Sequence, residues 1–394
     1  MNLLIIADGR SPITRRWIRM LEPLGYTINL VTTYPCTPVE GVHKTVTFPV
    51  AFSHYSGSQA GGSAKKAGKR SQLISRFRNL ASDLRHWLGP WSVDRRKKEF
   101  SDLVLQLQPD LVHALRIPFE GMLASHTPPG IPVVVSTWGN DLTFHAESSA
   151  AMGDATRRAL LRADGLFSDT RRDIQLAHSW SFNPNKPSLM VVGNGGIDLT
   201  EIEQATRGVG LAVPWQVINP RGFRSGSVRN DTFFKAIPLI LSHHPEIQFI
   251  CPWMAGQPEA LHWVEKFGIF NNVTLLPVLS QPELWREFAR SMASVSVSIH
   301  DGTPNSLLEA MAIGCLPVCG NIESIREWIV NGENGLLVDP SDPADLATAV
   351  LRSIEDDDLH RSAARRNRQI ILERAEISAV RRQVAEFYNL VCGK

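Results

Sequence analysis

The sequence has no run of the roughly twenty apolar residues needed to cross a bilayer as a helix. Its opening, MNLLIIADGR, lacks the basic region of a secretory signal and carries only a short apolar run, which reads as a first buried strand. Cysteine is scarce: five residues in 394, irregularly spaced, with no CxxC pair and no Cys/His zinc pattern. This argues against a disulfide framework and predicts reduced thiols in a soluble, cytoplasmic protein. No sign of charge is in surplus either, since 41 Lys and Arg against 39 Asp and Glu leave +2, which argues against a nucleic-acid partner. With 43 % hydrophobic and 20 % charged residues, the composition is that of an ordinary globular protein. The length suits two or three domains of roughly 100–200 residues each.

What is present is alternation. Short apolar runs at 3–7, 28–33, 110–115, 131–137, 165–170 and 188–192 read as buried strands, with helical patterns at 15–24 and 156–163 between them. The pattern restarts with strand candidates at 213–219, 247–251, 273–276, 294–299, 316–319 and 335–338 and helix candidates at 232–243, 282–292 and 305–313. Strand–helix alternation of this kind implies parallel sheets covered by helices, here as two doubly wound α/β units. The expected boundaries are 1–204, 205–375 and a final helix over 376–394 that crosses back to the first unit. Residues 54–98 stand apart as a basic insertion, with a Gly/Ser/Ala/Lys-rich loop followed by Arg mixed with Phe, Leu and Trp. Three readings stand for it: a solvated loop with a surface helix, an element that meets anionic membrane, or a nucleic-acid contact, which the neutral charge of the rest of the chain disfavours.

The stretch 294–338 concentrates the chemistry. A strand runs into His300-Asp301-Gly302-Thr303-Pro304, and a helix is expected to start at Asn305. A helix start at the carboxyl end of a parallel strand suits a phosphate, because its free N–H groups and dipole favour an anion. Glu309 follows on the same helix face as Asn305, among apolar residues. It is either a carboxylate that accepts from a ribose diol or one that pairs with a neighbouring loop or arginine.

Asp301, seven residues, Glu309 and then Ala310-Met311-Ala312-Ile313-Gly314-Cys315-Leu316-Pro317-Val318 resemble the C-terminal signature of the retaining, family-four glycosyltransferases of the GT-B class (glycosyl transferases group 1). That resemblance implies two Rossmann-like domains facing across a cleft. It implies that Glu309 binds the nucleotide ribose, that Asp301 contacts the donor sugar, and that amides around Thr303, Pro304, Asn305, Ser306 and Leu307 hold the diphosphate. Asp301 is one methylene shorter than the family's usual Glu. Upstream, INPRGFRSGSVRNDTFFKAI resembles the family's G-R-x…K-G segment, with Arg221 on the family's Arg and Arg229 in place of its Lys, both toward the diphosphate. Arg224 and Arg229 are equally readable as surface arginines of a Gly/Ser loop.

The first domain resembles the family in ADGRSPITRRW, PDLVHA, STWGNDL and VVGNGGIDL. Gly9 then faces the substrates. Trp138 stands where many members have a His near the reacting carbon, and can wall or stack on a sugar but not shuttle a proton. Asp141 is either a general base toward an acceptor hydroxyl or the cap of the following turn. His113 reads as a satisfied strand-end histidine, and Asn194, Gly195 and Asp198 as structural.

The activity implied is retaining glycosyl transfer from a nucleotide diphosphate sugar, UDP by default, to a glycan, lipid-linked or small-molecule acceptor in cell-surface polysaccharide or glycoconjugate synthesis. The nucleotide sugar is a substrate, so no cofactor is expected. No DxD-like pair is evident, so metal independence is expected too. The alternatives are a nucleotide-sugar epimerase or hydrolase on the same plan, or a non-catalytic sugar-nucleotide-binding subunit.

Overall fold

The computed structural model describes residues 1–51, 85–212, 215–223 and 226–394. The 54–84 part of the basic insertion, the first two residues of the 213–219 strand candidate and Arg224 lie outside the described residues.

The chain divides into two compact units, Met1–Gly196 with Val380–Lys394, and Ile197–Ala379. In the first, seven parallel strands run in the order β3-β2-β1-β4-β5-β6-β7. These are β1 Asn2–Ala7, β2 Thr27–Thr32, β3 Lys44–Thr47, β4 Leu111–Ala114, β5 Val133–Thr137, β6 Gly165–Ser168 and β7 Ser188–Met190. In the second, six parallel strands run β10-β9-β8-β11-β12-β13. These are β8 Gln216–Ile218, β9 Gln248–Cys251, β10 Val273–Leu275, β11 Ala293–Ser296, β12 Leu316–Gly320 and β13 Leu336–Val338. Each order reverses direction once, between β1 and β4 and between β8 and β11, which makes each sheet doubly wound with one switch point.

The central strands are apolar on both faces because helices cover both. Leu3, Leu4, Ile5 and Ile6 of β1 are fully buried, as are Val133, Val134 and Val135 of β5. β3, KTVT, was invisible as a buried run because it is an edge strand with largely exposed side chains, paired to β2 alone. The first helix runs Pro12–Leu21 rather than over 15–24. Ser11 Oγ accepts from the Ile13 amide at 3.3 Å, and Pro23 falls in a short 3-10 turn closed by Gly25 at φ 66°.

The second unit begins at Ile197, upstream of the expected 204/205 joint. Asp198 Oδ1 accepts from the Glu201 amide at 3.0 Å and caps helix Leu199–Thr206, which packs on helix Gln281–Arg290 of the same unit. The expected joint therefore falls inside a helix of the second unit, Leu199–Thr206. The last helix, Ile377–Val391, places Val380, Val384 and Tyr388 fully buried in the first unit. Arg381 Nε donates to Met20 O at 2.7 Å, and the Phe387 and Phe167 ring centres lie 4.5 Å apart.

Tyr388 also explains His113. The imidazole is wholly buried, with Nδ1 2.7 Å from Tyr388 Oη and Nε2 2.8 Å from Ser136 Oγ, and burial pushes its pKa down to about 3. Between the ordinary histidine value of about 6.5 and 3, the unfolded chain binds a proton that the folded one refuses, so stability falls as pH is lowered through that window. Wild type is expected to lose more stability than His113→Gln between pH 7 and 4.5, read as denaturant midpoints. Equal losses would assign the acid sensitivity elsewhere.

Candidate functional site

In the second unit the chemistry-bearing residues meet at the switch point. Arg221 follows β8 and Asp301 follows β11, the two strands between which the sheet order reverses. Their loops are fixed against each other. The Val228 segment bridges Ser298, Arg229 N donates to Val297 O at 2.8 Å, and Ile299 N donates to Ser227 O at 2.9 Å. Asn219 and Asn230 close the Arg221 loop: Asn219 Oδ1 accepts from the Arg221 amide at 3.2 Å and Asn230 Nδ2 donates to Gly222 O at 2.8 Å.

Within this frame the Arg221 guanidinium donates to Asp301 and, at 3.5 Å, to Ser306 Oγ. Arg221 is 6 % exposed, and its Nε is buried without a hydrogen-bond partner. Asp301 Oδ2 also accepts from Ser298 Oγ at 3.3 Å, and Oδ1 from the Gly302 amide at 3.1 Å. The loop ahead of the helix is held from behind, by Ser324 Oγ on Asp301 O at 2.9 Å and by Trp328 Nε1 on Thr303 Oγ1 at 3.0 Å. Gly320, at the end of β12, is needed for this fit, since a Cβ there would sit 2.3 Å from Ser298 O.

The helix is Asn305–Ile313, as its sequence predicts, with Pro304 at the cap position making no side-chain hydrogen bond and Gly314 closing it at φ 90°. Leu307 N donates to Pro304 O at 3.0 Å, so the amides that helix geometry leaves without acceptors are those ahead of it, at Asn305 and Ser306, and the helix dipole adds partial positive charge beside Arg221. Leu307, Leu308, Met311 and Ala312 anchor the helix in the core. Glu309, 3 % exposed, sits one turn in and accepts from Gln281 Nε2 at 2.9 Å. The arrangement offers a buried cation, a helix start and a buried carboxylate on one element, which is what a diphosphate linked to a diol requires.

Arg229 is not drawn into this cluster. Its guanidinium grips Asp231 through Nε at 2.8 Å and Nη2 at 3.0 Å, which drives the Asp231 pKa far down and the Arg229 pKa up. Lys235 adds a third contact to Asp231 at 2.9 Å.

In the first unit a 340 Å³ pocket opens beside the ends of β1, β4 and β5, lined by Tyr34, Arg85, Arg116, Glu120, Trp138 and His145 among others. Trp138 walls it, with the Arg116 guanidinium 5.2 Å from its ring centre. Asp141 is fully buried and does not present a free base. Its carboxylate accepts from Arg116 Nη2 at 2.7 Å and Nε at 3.2 Å, and from the Ile117 and Trp138 amides at 3.1 and 3.2 Å. With both oxygens engaged, it orients Arg116 and the Trp138 turn. Gly9 likewise has no spare group: its amide donates to Thr32 Oγ1 at 3.0 Å and its carbonyl accepts from Arg15 Nε at 3.0 Å. Glycine is required there by packing, since a Cβ would lie 2.5 Å from Cys36 Sγ.

Sequence reasoning missed Arg85, Arg116, Glu120 and Gln281. Only Arg116 had a signal, as the charged residue that ends the apolar 110–115 run. A hollow of 840 Å³ on the second unit is lined by helix residues such as Leu239, Leu351 and Asp356 rather than by strand ends, and holds none of this chemistry. Among the described residues no group of three or more His, Cys, Asp or Glu is placed to hold a metal ion, and no helix is long and apolar enough to cross a membrane.

Comparison with known proteins agrees with the geometry. The profile of the family described as Glycosyl transferases group 1 matches residues 229–370. The D-inositol 3-phosphate glycosyltransferase of Paenarthrobacter aurescens is 28 % identical over 189 residues, 42 % of this chain and 46 % of that protein. The matched region thus spans about half the length of this curated relative. Among solved structures, sucrose-phosphate synthase from Thermosynechococcus elongatus superposes with a TM-score of 0.73 at 12 % identity over 100 % of both chains. HepE of Anabaena, in complex with UDP, superposes with a TM-score of 0.68 at 14 % identity over 98 % of this chain and 99 % of that one. The fold is that of the GT-B glycosyltransferases, and residues 229–370 of the second unit match the glycosyl transferases group 1 family.

Proposed function

We propose that the protein is a retaining, metal-independent glycosyltransferase that moves a sugar from a UDP-sugar to a glycan, lipid-linked or small-molecule acceptor. The observation that carries this reading is the buried Arg221, with its unused Nε, beside the start of the helix that holds Glu309. The complex of HepE with UDP supports the choice of nucleotide. In the reaction the bond from the anomeric carbon to the diphosphate breaks, the acceptor oxygen bonds to that carbon on the same face, and the acceptor proton passes to the departing diphosphate. Arg221 and the helix-start amides at Asn305 and Ser306 stabilise the charge that develops on the diphosphate. Glu309 takes the ribose hydroxyls, and Asp301 contacts the transferred sugar. Asp141 acts through Arg116 rather than as a base, and Arg229 sets the start of its helix through Asp231.

A screen of nucleotide sugars against acceptor mixtures tests the reading, with released nucleotide and glycosylated product both measured. Acceptor-dependent release supports it. Release without acceptor points to the epimerase or hydrolase, and tight nucleotide binding without turnover points to a binding subunit.

The proposal includes a peripheral contact with anionic membrane on the cytoplasmic side. Helix 85–95 exposes Trp87 by 67 % and Trp91 by 59 %, one turn apart, and Arg95 lies 5.4 Å from the Trp91 ring centre. Exposed tryptophans beside arginine suit the headgroup region. Replacing both tryptophans with alanine is expected to lower binding to phosphatidylglycerol vesicles about tenfold, measured by co-sedimentation. Unchanged binding removes the contact.

A further inference from the structure

The first-unit pocket has a charge balance that glycosyl transfer to a neutral hydroxyl does not require. Of the two arginines that line it among the described residues, Arg116 is matched, pairing with Asp141 at 2.7 Å, and the lining carboxylate of Asp8 is taken by Arg10 at 2.9 Å. Arg85 differs. Among the described residues no carboxylate pairs with it, and its Nε is buried without a hydrogen-bond partner. Its guanidinium lies 4.7 Å from the Phe119 ring centre and 5.6 Å from that of Tyr34. Two ring faces thus hold a partly desolvated fork whose donors are not all used.

The pocket's remaining acid is Glu120, which is buried and accepts from Thr33 Oγ1 at 2.9 Å. Burial raises its pKa to about 7, against the pull of Arg116, Thr33 and Arg85. The other titratable groups facing it do not offset Arg85. Tyr34 is raised by burial and stays neutral, and His145, pushed down to about 4 by burial, is neutral too, with His86 3.3 Å away. The backbone supports a purpose-built segment. Phe119, the ring under Arg85, holds φ 69° and ψ −45°, a conformation costly for a non-glycine residue, immediately before Glu120.

We propose that this pocket seats a phosphate or similar tetrahedral oxyanion carried by the acceptor, gripped by Arg85 with Arg116, and that Glu120 must be protonated for the anion to enter. The proposal rests on the glycosyl-transfer reading for the word acceptor, but the anion site itself does not. A cavity of 340 Å³ lies in the range of small-molecule sites. Ionised Glu120 would compete with the anion for the same guanidinium groups, so affinity falls as pH rises through about 7.

The test is ligand-induced thermal stabilisation of the full chain by the 6-phosphates of glucose, mannose and galactose, their parent sugars, and inorganic phosphate, all at pH 6. At least one sugar phosphate is expected to bind tenfold or more tightly than inorganic phosphate, with no response to the parent sugar. Arg85→Ala and Arg85→Gln are both expected to weaken it tenfold or more while leaving UDP affinity unchanged. The 6-sulfate of the best sugar, whose charge is fixed, is expected to bind about tenfold more weakly at pH 8 than at pH 6, and Glu120→Gln to remove that dependence. Inorganic phosphate binding as tightly as the esters would assign the site to free phosphate and overturn the acceptor. An undiminished response in the Arg85 variants, or no response at all, would overturn the anion site. A flat pH profile in wild type would overturn the role of Glu120. UDP binding with no response here would refute this pocket alone, whereas absent UDP binding would refute the glycosyl-transfer reading.

Discussion

Glu309→Ala is expected to lower affinity for UDP about a hundredfold, measured by titration calorimetry, and to shift the melting temperature by only a few degrees. Glu309 is 3 % exposed and lies one turn inside helix Asn305–Ile313. Hydrogen bonds to a charged acceptor contribute about 1.5–3 kcal/mol each, and about 1.4 kcal/mol corresponds to a factor of ten. A ribose diol that loses its carboxylate therefore loses roughly two orders of magnitude. The stability cost is smaller because the Gln281 amide, 2.9 Å away, lies in a half-buried position where water can replace the lost acceptor. Glu309→Gln separates charge from shape, since it keeps the volume but replaces one acceptor oxygen with a donor. A variant that bound UDP like wild type would make Glu309 a structural helix residue.

The second large effect is on turnover. Arg221→Ala is expected to reduce kcat about a thousandfold with a smaller change in UDP affinity. A positioned donor aimed at developing charge contributes about 2.7–4 kcal/mol to the transition state, and Arg221 is placed for this by both neighbours it contacts, Asp301 and Ser306. Arg221→Lys restores a point charge without the planar fork and is expected to recover part of the rate. Removing Arg221 also leaves Asp301 without its ion pair, but Asp301 is 20 % exposed on its side chain, so water can reach it and the fold persists. Equal loss of affinity and turnover would mean that Arg221 binds the diphosphate as strongly before the reaction as during it.

How much of this was legible in the sequence follows from where the information sits. The helix Asn305–Ile313 was readable to the residue because its start, its apolar face and its closing glycine are all local. The pairing of Arg221 with Asp301 could not be read from spacing, because it joins two loops brought together by neighbouring strands β8 and β11. Asp141 shows the opposite limit. A buried carboxylate and a catalytic one look alike in STWGNDL, and only the four donors around it, three of them backbone or side-chain groups of residues 116 and 117, show that its oxygens are engaged. Glu120 had no sequence signal, since its environment is made by Thr33, Arg116 and Arg85 from three separate segments. The same holds for β3, whose polar residues form a strand only because β2 offers a free edge.

The most direct measurement is a crystal structure of the protein with UDP. The account predicts the diphosphate against the amides between Thr303 and Leu307 with Arg221 in contact, and the ribose hydroxyls on Glu309. UDP bound elsewhere, with that helix start facing only protein or solvent, would contradict it.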